Sequence, residues 1–218
     1  MTPKSLSRLL LLLCLLPFVG GCQSESGEPD GEALYLQFCA ACHGVDGSTV
    51  ANSTAPNLSS QALLRVVDDE FMTVSTALGR PGANARLKPG SKMSAYAKSE
   101  RGPLEDAEIA AIVAHIRTWQ EEPSVPLDDA WRAEGDVEAG RALWMTDCAV
   151  CHGEDGWGEL APRLVGSTFI EHASDDFIRQ TLRVGRLDGG MPAYDYDDTE
   201  MGDLIVFIRA LGEEQNTP

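Results

Sequence analysis

Basic residues are scarce in this sequence. Its 218 residues include 17 Lys and Arg against 34 Asp and Glu, which gives a formal net charge of −17 at pH 7. A surface of this sign repels phosphate, so the composition argues against nucleic acid or a bare anionic bilayer as a partner. The excess is uneven, since residues 30–120 hold 8 basic and 10 acidic side chains, whereas residues 136–218 hold 6 and 17.

Spare cysteines are also lacking. Of the six cysteines, Cys14 and Cys22 lie in the N-terminal segment. The other four form two C-x-x-C pairs, each followed directly by a histidine, in 39–43 (CAACH) and 148–152 (CAVCH). Because both pairs belong to this repeated motif, no cysteine in either half is left for a separate disulfide framework.

C-x-x-C-H is the attachment pattern of c-type haem. Two thiols three positions apart can each bond one edge of a porphyrin, and the next residue offers its imidazole to the iron. We therefore predict two haem c groups, each with one iron. The predicted attachment residues are Cys39, Cys42, Cys148 and Cys151, and the predicted proximal iron ligands are His43 and His152.

Other uses of these cysteines are less consistent with the pattern. Zinc sites usually bring C-x-x-C pairs together from about 15–20 residues apart, whereas 105 residues separate Cys42 from Cys148. A thioredoxin-like motif needs a βαβ context that neither flank supplies. Two separate disulfides would suit an exported chain, but they would leave the histidine after each pair unexplained.

The N-terminal segment predicts export. Lys4 and Arg8 precede an apolar run over 9–16, and residues 19–22 (VGGC) place small residues before a cysteine. This arrangement resembles the lipobox of bacterial lipoproteins, which implies removal of residues 1–21 and a lipid on Cys22. An ordinary cleaved signal and an uncleaved anchor are the alternatives, although the run is short for a span of about 20 residues. Polar residues 22–29 then form a tether.

The sequence around the two motifs repeats in register. Gly31 and Tyr35 stand eight and four residues before Cys39, and Gly140 and Trp144 hold the same offsets from Cys148. A small residue and an aromatic one turn apart allow another helix to cross closely. The repeat predicts domains over 30–120 and 136–218, joined by a Pro-rich acidic linker over 121–135.

Each motif is followed by the same series of features. A Gly-rich loop leads to Pro56 or Pro162, where a carbonyl can accept from the imidazole N–H, unless these prolines only punctuate the loop. Apolar residues at helical spacing then predict a middle helix. In the first domain these are Leu63, Leu64, Val67, Phe71, Val74 and Leu78, and in the second Phe177, Ile178, Leu182 and Val184.

Both middle helices end in Gly-Arg, at 79–80 and 185–186. These arginines suit either haem propionates or solvent. A C-terminal amphipathic helix closes each domain, and Gly212 is predicted to end the second.

A methionine recurs between the middle and last helices of each half. Met93 and Met191 both begin the tetrapeptide Met-x-Ala-Tyr in a Gly-rich loop. A thioether there would complete His/Met ligation of the iron. The first loop is the longer, and His115 on the last helix of the first domain is a rival ligand without a counterpart in the second. We predict Met93 and Met191 as the second axial ligands.

Together these residues resemble two class I cytochrome c domains, and the pair resembles the dihaem cytochromes c. The resemblance implies an all-α fold, two tandem class I cytochrome c domains, and electron transfer rather than catalysis. It implies redox protein partners, such as a respiratory oxidase or reductase, on the periplasmic side of a lipid-anchored bacterial protein, with no nucleic acid. The alternative is a dihaem oxidoreductase of the peroxidase or thiosulfate dehydrogenase type, with one labile axial position. Leu211 departs from the family, which has an aromatic residue there.

Overall fold

The computed structural model describes residues 27–51, 53, 55–80, 93–165 and 168–214. Across these residues the regular structure is helical, with isolated β-bridges and no strand. The all-α prediction is therefore confirmed. Cys22, the predicted signal peptide and most of the loop before Met93 lie outside the described residues. Within the described ranges, no helix is long and apolar enough to cross a membrane.

The described residues of the first domain form five α-helices. They are α1 (Gly31–Phe38), α2 (Ala40–His43), α3 (Gln61–Leu64), α4 (Asp69–Leu78) and α5 (Asp106–Arg117), with a 3₁₀ turn at Lys98–Glu100. The second domain repeats this order with α6 (Val137–Leu143), α7 (Ala149–His152), α8 (Thr168–His172), α9 (Asp175–Val184) and α10 (Asp198–Glu214). A π-helical turn at Trp144–Cys148 and a 3₁₀ turn at Leu187–Gly189 complete it.

Side-chain caps explain where the helices start. The carboxylate of Asp30 accepts from the N–H of Ala33 at 3.0 Å, and Asp136 accepts from Ala139 at 2.9 Å. Each satisfies one of the backbone donors that a helix start leaves unpaired. The same device starts α9, where the Ser174 hydroxyl accepts from the N–H of Phe177.

The predicted first middle helix is two helices, a difference from the sequence-based expectation. Asp68 caps α4 by accepting from the N–H of Phe71 at 2.6 Å, which starts a new helix after α3. The Arg117 guanidinium donates to the carbonyls of Leu64 and Val67, at 2.8 and 2.5 Å, and so satisfies acceptors at this break. Because apolar residues keep helical spacing across the break, hydrophobic periodicity alone predicts one continuous helix here.

Arg209 has the corresponding position in the second domain. Its guanidinium donates to the carbonyls of Ile170 and Ala173, just before α9. It also forms an ion pair with Asp175 at 2.7 Å, as Arg117 does with Asp69 at 2.6 Å. In both domains an arginine on the last helix thus fixes the segment that leads into the middle helix.

The first and last helices of each domain cross at a glycine. A Cβ on Gly31 would lie 2.1 Å from the carbonyl oxygen of Ala111, and one on Gly140 would lie 1.9 Å from that of Asp203. Only glycine allows the two backbones to approach this closely. The close crossing confirms the expectation drawn from the offsets of Gly31 and Gly140.

An aromatic ring packs on each crossing. Tyr35 contacts Trp119 edge-on, with ring centroids 5.0 Å apart. In the second domain Trp144 contacts Phe207 at 5.9 Å, and Leu211 is also buried. Phe207, one turn before Leu211, thus supplies the aromatic contact in this crossing. Gly212 does not end α10, which continues to Glu214, so that prediction was wrong.

The two domains share apolar surface. Val66, Val67 and Phe71 of the first domain belong to the same buried cluster as Trp144, Phe177 and Leu204 of the second. The segment predicted as a linker lies against both domains. In it the N–H of Val125 donates to the carbonyl of Arg65 at 2.7 Å, and that of Asp128 donates to the buried Asp176 carboxylate at 2.6 Å.

Candidate haem-binding sites

Each predicted proximal histidine is oriented by the proline loop. The Nδ1 atom of His43 lies 3.0 Å from the carbonyl oxygen of Pro56, and that of His152 lies 2.9 Å from the carbonyl oxygen of Pro162. A carbonyl can only accept, so Nδ1 carries the proton and the lone pair resides on Nε2. This carbonyl–histidine pairing fixes the tautomer that binds a metal through Nε2. The sequence-based expectation for both prolines is met.

Burial also keeps these imidazoles neutral. Loss of hydration lowers the pKa of His43 and of His152, and this outweighs the opposing effect of the carbonyl bond. A neutral imidazole is the form that binds iron. The sites therefore have their ligand form without requiring a metal to displace a proton.

The four motif cysteines form no disulfide in the described structure. Cys39 and Cys148 are buried, whereas Cys42 is exposed and Cys151 is half-buried. Burial raises the pKa of the Cys39 thiol to about 11 and that of Cys148 to about 12. An uncharged buried sulfur suits a thioether bond, which carries no charge either.

The methionine segments are anchored to the ends of the middle helices. The N–H of Arg80 donates to the carbonyl of Met93 at 2.7 Å, and that of Arg186 donates to the carbonyl of Met191 at the same distance. The N–H of Met191 donates back to the Arg186 carbonyl at 3.0 Å. Both methionine side chains are half-buried. In both domains the methionine therefore lies beside the arginine that follows the middle helix, although the first loop is longer than the second.

The glycine that ends each middle helix permits this approach. Gly79 has φ of 68° and Gly185 has φ of 69°. A Cβ on Gly79 would lie 2.4 Å from the carbonyl carbon of Ser94, and one on Gly185 would lie 2.6 Å from the nitrogen of Ala193. Residues with a side chain would therefore push the methionine segment away from the helix.

Tyrosines connect the methionine segments to the cysteine motifs, a role that the sequence analysis missed. The Tyr96 hydroxyl donates to the carbonyl of Phe38 at 3.0 Å, and the Tyr194 hydroxyl donates to that of Asp147 at 3.1 Å. Phe38 and Asp147 each precede the first cysteine of their motif. The signal was present, because both tyrosines repeat in Met-x-Ala-Tyr, but their partners are far away in sequence.

The aromatic residues of α1 and α6 have a second role that sequence reasoning did not assign. The Tyr35 hydroxyl donates to the carbonyl of Gly44 at 2.8 Å, and the Trp144 indole N–H donates to that of Gly153 at 3.1 Å. Each glycine directly follows the predicted proximal histidine. Two different side chains therefore restrain the same point of the chain beside the predicted iron ligand.

His115, the rival ligand, lies in the α1–α5 crossing. Its ring centroid is 5.4 Å from that of Tyr35 and 5.0 Å from that of Trp119. These contacts give the ring a packing role in the first domain.

A buried guanidinium near the second site has polar atoms without a partner in the part of the chain that the structure describes. The Nε and Nη2 atoms of Arg186 are buried and have no hydrogen-bond partner among the described residues. A guanidinium in that state favours an anionic group with paired oxygens, such as a propionate. Oriented imidazoles, uncharged thiols and this guanidinium together fit a covalently bound haem in chemistry and in charge.

The comparisons with known proteins agree with this chemistry. The family described as cytochrome c matches residues 29–120, and the family described as cytochrome c oxidase, cbb3-type, subunit III matches residues 135–208. Both domains are c-type cytochromes. This tandem cytochrome binds two c-type haems.

Among curated proteins, the cytochrome is similar to the cbb3-type cytochrome c oxidase subunit FixP of Bradyrhizobium sp. (strain ORS 278), with 27% identity over 84% of this chain and 60% of that one. It is similarly related to subunit CcoP of Azospirillum brasilense, at 27% identity over 84% and 61%. Dihydro-heme d1 dehydrogenase of Pseudomonas aeruginosa is 32% identical over 56% of this chain and 20% of that enzyme. The cytochrome spans about 60% of the length of the first two.

Among solved structures, a chain of the Kuenenia stuttgartiensis reducing HAO-like protein complex Kustc0457/Kustc0458 superposes with a TM-score of 0.51. The match covers 84% of this cytochrome and 95% of that chain at 18% identity. At this identity the likeness concerns the fold alone. It extends over both domains, so the tandem arrangement as well as the single domain recurs.

Proposed function

We propose that this cytochrome transfers single electrons on the periplasmic face of a bacterial membrane, as a carrier or as a subunit of a respiratory complex. When bound, a c-type haem supplies an iron that gains and loses one electron. The chain supplies His43 and His152 as proximal ligands and attaches the porphyrins through the four motif cysteines. Met93 and Met191 supply the second axial ligands in this proposal.

The observation that carries the proposal is that both methionine segments are anchored by the same two kinds of contact. Each carbonyl accepts from an arginine N–H at 2.7 Å, and a tyrosine hydroxyl holds each segment to its cysteine motif. An iron with protein atoms on both sides has no position for a substrate, which favours electron transfer over catalysis. The oxidoreductase alternative needs one iron with a labile ligand. Within the described residues both methionine segments have the arginine and tyrosine contacts, and Met191 has a second hydrogen bond to Arg186.

The names of the relatives support an oxidase as the partner. FixP and CcoP are subunits of cbb3-type cytochrome c oxidases. We propose that this chain likewise exchanges electrons with a terminal oxidase or another respiratory complex. A polyanionic partner such as nucleic acid is disfavoured because residues 136–218 carry 17 acidic side chains against 6 basic ones.

The decisive experiment is a spectroscopic redox titration of the mature holoprotein with haem counting. We expect two haems per chain, a Met–iron charge-transfer band from both, and no cyanide adduct. Met93→Ala and Met191→Ala should each remove half of the band and open one haem to cyanide, and Met72→Ala serves as a matched control with an unchanged band. A high-spin haem or cyanide binding in the unaltered protein would instead favour the oxidoreductase.

Membrane attachment through Cys22 is a separate part of the proposal. Its support is the VGGC sequence at 19–22 after a basic and then apolar segment. The expected result is that Cys22→Ser yields holoprotein in the soluble periplasmic fraction, while the unaltered chain sediments with membranes and its N-terminal peptide has the mass of a lipid adduct. An unaltered chain found soluble, without added mass, would remove the anchor and leave the haem chemistry standing.

A further inference from the structure

Asp147 directly precedes the first cysteine of the second haem motif, where the two domains differ in charge. The equivalent residue of the first domain is Phe38, which directly precedes Cys39. The Phe38 ring packs edge-on against Tyr96, with ring centroids 6.1 Å apart. The first domain therefore has an apolar ring at this position, whereas the second domain has a carboxylate.

Two stacked tyrosines hold Asp147 in place. The Tyr194 hydroxyl donates to its backbone carbonyl at 3.1 Å, and the Tyr196 hydroxyl donates to its carboxylate at 2.5 Å. The two rings are inclined by 11°, with centroids 5.3 Å apart. A hydrogen bond to an ionised acceptor is roughly twice as strong as one between neutral groups. The half-buried carboxylate is thereby fixed next to Cys148 and does not turn freely into solvent.

The tyrosine that binds this carboxylate is likewise particular to the second domain. Lys98 stands in the first domain where the second has Tyr196, two residues after the tyrosine of Met-x-Ala-Tyr. Lys98 is exposed and forms an ion pair with Glu105. Both members of the Asp147–Tyr196 pair are therefore replaced in the first domain, by Phe38 and Lys98.

The charge of Asp147 acts on the sulfur that would attach the haem. Burial is the main cause of the raised pKa of the Cys148 thiol, and the carboxylate of Asp147 adds to it. In the first domain burial raises the pKa of Cys39, and the added charge is that of Cys42 in the same motif. Because thioether sulfurs carry no charge, haem attachment removes the contribution of Cys42 and leaves that of Asp147.

The overall charge of the two domains differs in the same sense. Residues 30–120 hold 8 basic and 10 acidic side chains, whereas residues 136–218 hold 6 and 17. An arginine follows the middle helix in both domains, so this positive charge does not distinguish them. Negative charge near a haem favours the oxidised iron, which is the more positive state, and so lowers the reduction potential.

We propose that Asp147, positioned by Tyr196, lowers the reduction potential of the second-domain haem and makes it the lower of the two. The inference rests on the proposed function, because it requires both haems to be present. An electron passes spontaneously from a lower to a higher potential. The second haem then loses one electron and the first gains it, with no proton transferred and no bond changed. Electrons are thus directed through the chain from the second domain to the first.

The test is a redox titration of the Asp147→Asn holoprotein in which NMR follows the haem methyl signals of each domain. Two unit charges about 10 Å apart, at an effective dielectric constant of about 20, change an equilibrium constant by on the order of tenfold. Asparagine keeps the shape and still accepts from Tyr196, but it has no charge. The reduction equilibrium constant of the second haem should rise by on the order of tenfold, which is 59 mV for a one-electron couple. That of the first haem should change by less than about twofold.

Glu138→Gln is the matched control. Glu138 is an exposed residue in the first turn of α6, so its substitution removes the same charge from the same domain without touching the pair. Solvent and salt screen an exposed charge, and the second haem should shift by less than about twofold. Equal shifts in Glu138→Gln and Asp147→Asn would overturn the proposal, because net charge alone would then set the potential.

The positioning role of Tyr196 is tested by a double-mutant cycle. In a Tyr196→Phe protein the carboxylate has lost its donor and can turn into water, which weakens its effect on the haem. Asp147→Asn should then raise the reduction equilibrium constant of the second haem by less than about threefold, since residues in one hydrogen-bonded pair are not additive. A full shift in the Tyr196→Phe background would contradict the role given to Tyr196.

The order of the potentials is read from the unaltered protein. A second haem with a potential equal to or above that of the first would overturn the proposal, as would Asp147→Asn that leaves it unchanged. If Asp147→Asn does not fold, Asp147→Ser also removes the charge while keeping an acceptor for Tyr196, and the same shift is expected. These potentials are measurable even if the chain exchanges no electrons with an oxidase. Missing haems or a missing Met–iron band would instead contradict the proposed function.

Discussion

The hydroxyl of Tyr96 lies 3.0 Å from the carbonyl oxygen of Phe38, and this hydrogen bond joins the methionine segment of the first domain to the residue before Cys39. Tyr194 makes the same bond to Asp147 in the second domain. The proposed distal ligand and the attachment motif are thus held together by the protein, apart from any bond to iron. This relationship gives the first of four predictions.

Tyr96→Phe should loosen Met93 before the domain unfolds. The substitution removes the donor to Phe38 and leaves the ring in place, at a net cost of about 0.5–1.5 kcal/mol. In a urea titration the Met–iron band should disappear at a lower concentration than the helical circular dichroism. Tyr35→Phe is the control, because it removes a bond to Gly44 in the same domain without touching the methionine segment. Coincident loss of band and helicity in Tyr96→Phe would contradict the role assigned to Tyr96.

Gly140→Ala should destabilise the second domain. The new Cβ would lie 1.9 Å from the carbonyl oxygen of Asp203, so α6 and α10 must move apart. Overpacking of this kind costs about 1–3 kcal/mol, more than the gain in helix propensity of about 1 kcal/mol. Gly212→Ala is the matched control, as it lies on α10 with no described atom within 4 Å of its Cβ. It should leave the free energy of unfolding unchanged or raise it in denaturant unfolding. A Gly140→Ala variant with an unchanged free energy of unfolding would show that α6 and α10 are farther apart at the crossing than in this structure.

The Phe71–Phe177 contact should appear as an interaction energy between the domains. Stacked aromatic pairs contribute about 0.5–1.5 kcal/mol beyond the area that they bury. A double-mutant cycle with Phe71→Leu and Phe177→Leu, measured by denaturant unfolding of the holoprotein, should return a coupling in that range. The control cycle pairs Phe71→Leu with Phe207→Leu, whose ring contacts Trp144 instead. Distant pairs are additive within about 0.3–0.5 kcal/mol, so equal values in the two cycles would argue against domain contact in solution.

Tyr35 should make stability fall at alkaline pH. Burial raises its pKa well above the ordinary value of 10.0, with the charges at Cys39 and Asp46 acting in the same direction where they are ionised. Above pH 10 the unfolded chain loses this proton while the folded chain keeps it. The contribution of Tyr35 is therefore fully present below pH 10 and decreases above it, by at most about 1.4 kcal/mol per pH unit.

The measurement for Tyr35 is the difference in unfolding free energy between the unaltered protein and Tyr35→Phe across pH 7 to 11. The difference should be constant to about pH 9 and then shrink, because the variant lacks the titrating hydroxyl. A difference independent of pH up to 11 would mean that this hydroxyl titrates alike in both states.

The fold class and the cofactor of this protein could be predicted from its sequence because the residues that indicate them lie close together in the chain. In C-x-x-C-H the two sulfurs and the imidazole lie within five consecutive residues, so the spacing alone indicates the cofactor and predicts the proximal ligand. The same locality explains Gly31 and Gly140, whose offsets from the motifs predicted the helix crossings. The sequence pattern gave a wrong prediction at two places. Apolar residues keep helical spacing across the break before Asp68, so two helices were predicted as one. Gly212 lies inside α10 and does not end it.

The tertiary structure decided what depends on residues remote in sequence. The Met-x-Ala-Tyr motif does not predict that the two tyrosines donate to the carbonyls of Phe38 and Asp147. Hydrophobic periodicity likewise does not predict that Phe207, rather than Leu211, supplies the ring that contacts Trp144. The meeting of Phe71 with Phe177 depends on how two complete domains pack together. Short motifs encode bonds between neighbours in the chain, whereas distances across an interface result from the burial of many apolar side chains at once.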